Sequence, residues 1–283
     1  MNIVWLVIGL LASTLVFLMG LRWSDYSSDK TVWKDLASRA ARSGRVYHPD
    51  LVKNLPEPAQ RYFNYSIRPG TPIITAVEVE MNGQLGLGTI DKPDYKTMTA
   101  RQILALPQGF VWRVTVSALS GSDVATEQMS WSRFWLFGLI PVVRAGNNPD
   151  HHRSAIGRLV SESAFWVPAS LLPSGYVRWE SAGSDTARAI VSCGEYTQAV
   201  DLSVADNGQL ERVIIQRWSN ENPEKEFVEQ PFGGYLSDFR DFGGYRLPCK
   251  VEGGNLIGTD QYFPFYKAKV IDIRLLDEQH GQT

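Results

Sequence analysis

Thr75-Ala76-Val77-Glu78-Val79-Glu80-Met81-Asn82 is the stretch on which the fold turns. Val77, Val79 and Met81 alternate with Glu78, Glu80 and Asn82. Successive side chains of a strand point to opposite faces, so this period of two describes a half-buried β-strand. Outward from it, Gly83–Ile90 is expected to return antiparallel. Thr97–Leu104 and Phe110–Ala118 repeat the pattern, with Pro107-Gln108-Gly109 as the turn between them. In the second of these, Phe110, Trp112, Val114 and Val116 share a face, and Val111, Arg113 and Thr115 share the other. Further strands are expected at Tyr176–Glu180, Ala187–Cys193, Gln198–Val204, Glu211–Trp218, Arg246–Glu252 and Tyr266–Leu275. Asp206-Asn207-Gly208 tolerates positive φ and reads as a hairpin turn.

Helical signals are few. Trp33, Leu36, Ala37 and Ala40 predict a short helix over Thr31–Ala41. Leu55-Pro56-Glu57-Pro58 opens a second, since proline and glutamate both suit a first turn. Asn148-Pro149-Asp150 supplies an N-cap, a first-turn proline and a dipole-matched carboxylate for a third. Its apolar stripe is Ile156, Leu159, Val160 and Ala164, and it ends near Phe165-Trp166-Val167-Pro168. Strands in runs, not alternating with helices, predict an α+β fold built on an antiparallel sheet.

Ile3–Leu21 is a run without charge or proline. At about 1.5 Å per residue it spans roughly the 30 Å hydrocarbon core of a bilayer. It exceeds the roughly 7–15 residues of a secretory h-region, and Arg22-Trp23-Ser24-Asp25, not a small-residue cleavage site, follows it. It is expected to be a retained single-pass transmembrane helix. The organisation expected is an anchor over 1–24, a juxtamembrane helical segment over 25–54, one β-rich domain over 55–276 and a disordered polar tail over 277–283.

A net charge of −2 over 283 residues offers no clustered basic surface for nucleic acid. The plentiful aromatics suit a β-rich core or an aromatic-lined cavity. Cys193 and Cys249 are too far apart in sequence for a CxxC site; whether they pair is open. Gly83, Gly86 and Gly88 give G-x-x-G-x-G between strands, which is not the dinucleotide fingerprint and reads as easing a hairpin. His151 and His152 are adjacent, about 100° apart on a helix, so no metal site is expected; they read as an exposed first turn. Arg158 and Glu162 are four apart on one helix and can pair. A desolvated Glu162 could instead serve as a proton donor or acceptor.

Leu55-Pro56-x-Pro58-x-Gln60-Arg61-Tyr62-Phe63, then Gly109-Phe110-Val111-Trp112-Arg113, then Arg158-Leu159-x-x-Glu162-x-x-x-Trp166-x-Pro168-x-x-Leu171-Leu172-Pro173, and Tyr245-Arg246-Leu247-Pro248, resemble the DUF6544 (DUF6920-related) family of uncharacterised bacterial membrane-associated proteins. The resemblance runs from about residue 55 to 275. It departs after Glu252, where Gly253-Gly254-Asn255 replaces an expected tryptophan. The family carries no established activity. Its strand pattern is similar to the LolA/LolB-like half-barrels, which implies a curved sheet covered by helices.

These readings combine into a membrane-anchored domain that holds a membrane lipid or apolar small molecule in a groove of the sheet. Trp112, Ile156, Leu159, Val160 and Trp166 are the expected ligand-binding residues, Arg158 and Glu162 a structural pair, and no cofactor is expected. The alternatives are a hydrolase-like enzyme using Glu162 and an envelope interaction or scaffold module. Lys and Arg after the span favour a cytoplasmic domain. The half-barrel analogy favours the extracytoplasmic side of the bacterial inner membrane, which is the side taken here.

Overall fold

The computed structural model describes residues 2–40, 44–222 and 224–276. The tail expected to be disordered, 277–283, lies outside them. Thirteen strands form one sheet: β1 (Ala76–Gly86), β2 (Tyr95–Ala105), β3 (Gly109–Val116), β4 (Leu119–Thr126), β5 (Ser130–Leu136), β6 (Ile140–Gly146), β7 (Val177–Ser181), β8 (Thr186–Cys193), β9 (Tyr196–Val204), β10 (Leu210–Ser219), β11 (Val228–Phe242), β12 (Tyr245–Asn255) and β13 (Phe263–Leu275). Their order is β6-β5-β4-β3-β2-β1-β13-β12-β11-β10-β9-β8-β7, and the pairings are antiparallel. The sheet is open, with β6 and β7 at its edges.

The order has a simple logic. One meander runs outward from β1 to the edge at β6. Helix α3 (Pro149–Trp166) then crosses over, and a second meander returns from β7 to β13, which closes against β1. The helix that joins the two edges must lie across the sheet, and the sheet curves around it. Asn148 caps α3 by accepting from the His151 amide at 2.9 Å. Ala155, Ile156, Leu159, Val160 and Ala164 sink into the main core with Val77, Val79, Met81, Phe110, Val213 and Ile215. Helix α2 (Glu57–Ser66) packs on the same side, where Tyr62 donates to the Ala164 carbonyl at 2.6 Å.

The opposite face is covered as well. Helix α1 runs unbroken from Asn2 to Ser38. Its first part is apolar and exposed, and the helix is long and apolar enough to cross a membrane. From Arg22 onward it lies on the sheet. Asp25 accepts from Trp135 Nε1 at 3.1 Å and pairs with Arg133 and Arg144. Asp29 accepts from Trp131 Nε1 at 3.0 Å, and Trp33 donates to Glu78 at 2.8 Å. Leu36 and Ala40 close a second core with Ile103, Val111, Val124 and Trp131.

Several sequence expectations change here. The helix predicted over Thr31–Ala41 is the last part of α1, and Ala41 itself lies outside the described residues. Glu78, expected in solvent, is buried because α1 covers its face. Gly83–Ile90 is not a return strand: β1 runs on to Gly86, and β2 returns. A Cβ at Gly83 would stand 2.0 Å from the Lys267 carbonyl oxygen, so glycine there permits close approach of β13. Strands β4, β5, β6 and β11 fall outside the expected strands. Ladder pairing holds Leu119-Ser120-Gly121-Ser122-Asp123 and Gln230-Pro231-Phe232-Gly233-Gly234 in the sheet despite their small and polar residues. Cys193 and Cys249 are buried and unpaired.

Candidate functional site

Between α3 and the concave face lies a cavity of about 290 Å³. Space remains there because the sheet offers little side chain to fill it. Gly86, Gly233, Gly234 and Gly253 all border it. A Cβ at Gly233 would fall 1.9 Å from the Val213 carbonyl oxygen, and one at Gly234 2.2 Å from that of Glu252. Neither position admits a larger residue without moving a strand. Gly253, in the segment Gly253-Gly254-Asn255, adds no side chain to the cavity wall.

The walls are mostly apolar: Leu85, Trp112, Phe165, Phe232, Leu236 and Phe265 contribute. One side is charged. Arg158, Ser161, Glu162 and Phe165 recur on α3 at three- and four-residue intervals, so they form one helical face turned to the cavity. Arg158 Nε donates to Glu162 Oε1 at 2.6 Å, and its Nη1 donates to Asp123 Oδ2 at 2.7 Å. Gln102 Nε2 donates to the other Glu162 oxygen. The guanidinium lies 4.8 Å from the Trp112 ring and 4.9 Å from the Phe110 ring. Burial disfavours its charge, but Glu162 and Asp123 outweigh that and hold its pKa above the usual arginine value. Arg217 lines the same side, and Tyr266 stands edge-on to Trp112. Burial pushes the Tyr266 phenol far above its ordinary range.

Of the residues expected to line a groove, Trp112 borders the cavity. Ile156, Leu159, Val160 and Trp166 do not. Their stripe points to β9 and β10, whose side chains fill the space against it, and all four are packed in the main core. Trp166 stacks edge-on with Phe165 and donates to the Pro248 carbonyl at 3.4 Å. The cavity instead meets the neighbouring polar flank of α3. The i,i+4 spacing reads that flank as a structural pair, which it is, but does not show that the pair borders a cavity. Arg217, on the expected strand Glu211–Trp218, and the glycines of β11, which lies outside the expected strands, carry no sequence signal that ties them to the helix flank. Glu162 has both oxygens taken by donors, which leaves it an acceptor in a network with Arg158 and Gln102.

The histidines are not an exposed first turn. His152 Nε2 is 2.8 Å from the Thr126 carbonyl oxygen. His151 Nε2 is 3.0 Å from Ser132 Oγ, whose own proton goes to Asp123 at 2.7 Å, and Nδ1 is 2.7 Å from Ser130 Oγ. The network therefore makes Nε2 a donor, and in the neutral ring Nδ1 accepts from the Ser130 hydroxyl. Burial lowers the His151 pKa below its ordinary 6.5; Asp123 opposes the shift, while Arg217 and His152 add to it. The unfolded chain then binds the proton more readily than the folded one, so stability is full above about pH 6.5 and is lost as pH falls below it. Thermal unfolding between pH 7.5 and pH 5.5 is expected to show this loss, and His151→Asn is expected to flatten it. An unchanged slope in the variant would assign the loss to other groups.

A second cleft, of about 680 Å³, lies between α1 and the outer face of the sheet. Its walls carry charge of both signs, including Asp25, Asp29, Glu78, Arg101, Arg113 and Arg133. These groups are largely engaged with one another: Glu78 takes Arg274 and Trp33, and Asp25 takes Arg133 and Arg144. The cleft is the seam that fastens α1.

Residues 45–268 match the family model described as a family of unknown function, DUF6544. No curated protein matches the chain. Solved structures similar in fold include two from bacteria. A LolA superfamily protein from Nitrosomonas europaea shares 9% identity at a TM-score of 0.41, over 77% of this chain and 91% of that one. A putative outer membrane lipoprotein-sorting protein domain from Vibrio parahaemolyticus shares 11% identity at a TM-score of 0.38, over 83% and 95%.

Proposed function

We propose, for a chain that belongs to the DUF6544 family of unknown function, that it is a membrane-anchored domain holding a lipid or other apolar molecule in the cavity beneath α3. The observation that carries this reading is the cavity: about 290 Å³, walled by Leu85, Trp112, Phe165, Phe232 and Phe265 and kept open by glycines. That is about ten waters' worth of liquid volume, near the lower end for a ligand pocket and suited to one acyl chain.

The anchor supports the same reading. Arg22 ends the apolar segment of α1, donates to Ser120 at 3.1 Å and lies 5.4 Å from the Trp135 ring. Ser120 belongs to the sheet end that carries the β1–β2, β3–β4 and β5–β6 turns. Leu85, Gly86, Gly253 and Phe265, on the cavity wall, sit toward that same end of the sheet. An anchored domain would therefore present the cavity toward the bilayer surface. In this reading the domain lies on the extracytoplasmic side of the bacterial inner membrane. A carboxyl-terminal alkaline phosphatase fusion is expected to be active, and an inactive fusion beside a fluorescent cytoplasmic reporter would reverse the orientation.

Native mass spectrometry of the detergent-extracted full chain tests the ligand, with one bound acyl-chain molecule expected. A series of chain lengths tests the site. Each buried methylene contributes about 0.8 kcal/mol, so shortening the chain by two carbons should weaken binding roughly 15-fold. Ser161→Trp, which adds an indole at the cavity wall, should abolish retention with the circular dichroism spectrum unchanged. Retention independent of chain length and of Ser161→Trp would sink the cavity as the site.

A further inference from the structure

The charged side of the cavity is not evenly paired. Arg158 is held twice, by Asp123 at 2.7 Å and by Glu162 at 2.6 Å. Arg217 has no carboxylate at ion-pair distance among the described residues. Its Nε donates to the Ser154 carbonyl at 3.3 Å and to Ser154 Oγ at 3.1 Å, which fixes the plane of the guanidinium. The guanidinium lies 4.7 Å from the Phe232 ring, itself a cavity wall. Its two terminal nitrogens donate to nothing among the described residues. Burial, and then the like charge of Arg158, bring its pKa down to about 10, as expected for a cation without a dedicated counter-ion.

A guanidinium with its Nε tied and its terminal nitrogens unused is a preformed donor for a planar or tetrahedral anion. Here it borders an otherwise apolar cavity. A half-buried cation of this kind is costly unless paired, and among the described residues no carboxylate pairs with it at ion-pair distance. An anion entering with its chain along Leu85, Phe165 and Phe265 would supply the missing partner while burying its methylenes.

We propose that the cavity ligand is a single-chain anionic amphiphile whose carboxylate or phosphate head docks on Arg217. The inference rests on the cavity reading above and goes further by naming the head group and the residue that selects it. Trp112, which borders the cavity edge-on to Tyr266, adds apolar wall beside the guanidinium.

The test is competition on the full chain in a fixed concentration of detergent. Dodecanoic acid, dodecyl phosphate and dodecanol each displace a fluorescent apolar probe. With the wild type, the acid or the phosphate should displace the probe at least tenfold more tightly than the alcohol, and the stronger of the two identifies the head. In Arg217→Met that preference should vanish, with the alcohol unaffected. Arg217→Lys should restore part of it. Melting curves of each variant verify the fold. Equal binding of acid, phosphate and alcohol by the wild type would overturn the head-group assignment while leaving the apolar cavity intact. Failure of all three to displace the probe would overturn the cavity reading as well.

Discussion

Arg158→Met is expected to destabilise the domain by about 3–5 kcal/mol, the usual cost of removing one partner from a buried ion pair. Arg158 is the only cation within ion-pair distance of both Asp123 and Glu162 among the described residues, and its side chain is 12% exposed. Methionine fills much of the same space but leaves two carboxylates facing each other at the edge of an apolar cavity. For a domain of this size the loss corresponds to a melting point lower by roughly 6–20 °C. The companion Arg158→Met/Asp123→Asn/Glu162→Gln variant removes all three charges and should recover most of the loss. Denaturant unfolding of both variants measures the difference. A loss below about 1 kcal/mol in the single variant would mean that water, not the arginine, compensates the two acids.

The second large effect concerns α1. Deleting residues 2–21 should yield a soluble, folded protein, because that segment packs on nothing in the fold. Deleting residues 2–38 should yield aggregate. That cut uncovers Ile103, Val111 and Val124, each fully buried, together with Trp131 at 4% exposure, and leaves Arg133 and Arg144 without Asp25. Each apolar side chain returned to water forfeits about 1.5–3 kcal/mol, so a handful exhausts a net stability of about 5–15 kcal/mol. A cut after residue 24 falls between these limits. It removes Arg22, with its contacts to Ser120 and Trp135, and leaves Asp25 at a new terminus. Size-exclusion chromatography separates the outcomes; a monodisperse fragment beginning at residue 39 would show that the outer face tolerates water.

The same element marks a boundary of what can be read from a sequence. The period-two pattern at Val77, Val79 and Met81 reports that one face of β1 is buried, and it is. It also implies that Glu78 faces water. That fails because an ion pair with Arg274 and a hydrogen bond from Trp33 bring a charge under α1. Local alternation records polarity, and polarity stops reporting exposure wherever polar groups find partners.

What the sequence determined by itself is the local set: the apolar span Ile3–Leu21 and its length, the alternation of the central strands, the Asn148 cap and start of α3, and the turn at Asp206-Asn207-Gly208. Each depends on neighbours within a few residues, on backbone preference or on helical spacing. Only the tertiary structure decided where α3 lies, that α1 lines the outer face, and where the cavity sits. Arg158 and Glu162 are four residues apart and legible as a pair. Asp123, Gln102 and Arg217 join them only because the two meanders close through β1 and β13 around a single crossing helix. The cavity itself is an absence of side chains at Gly86, Gly233, Gly234 and Gly253, on three different strands, and empty space has no sequence pattern of its own.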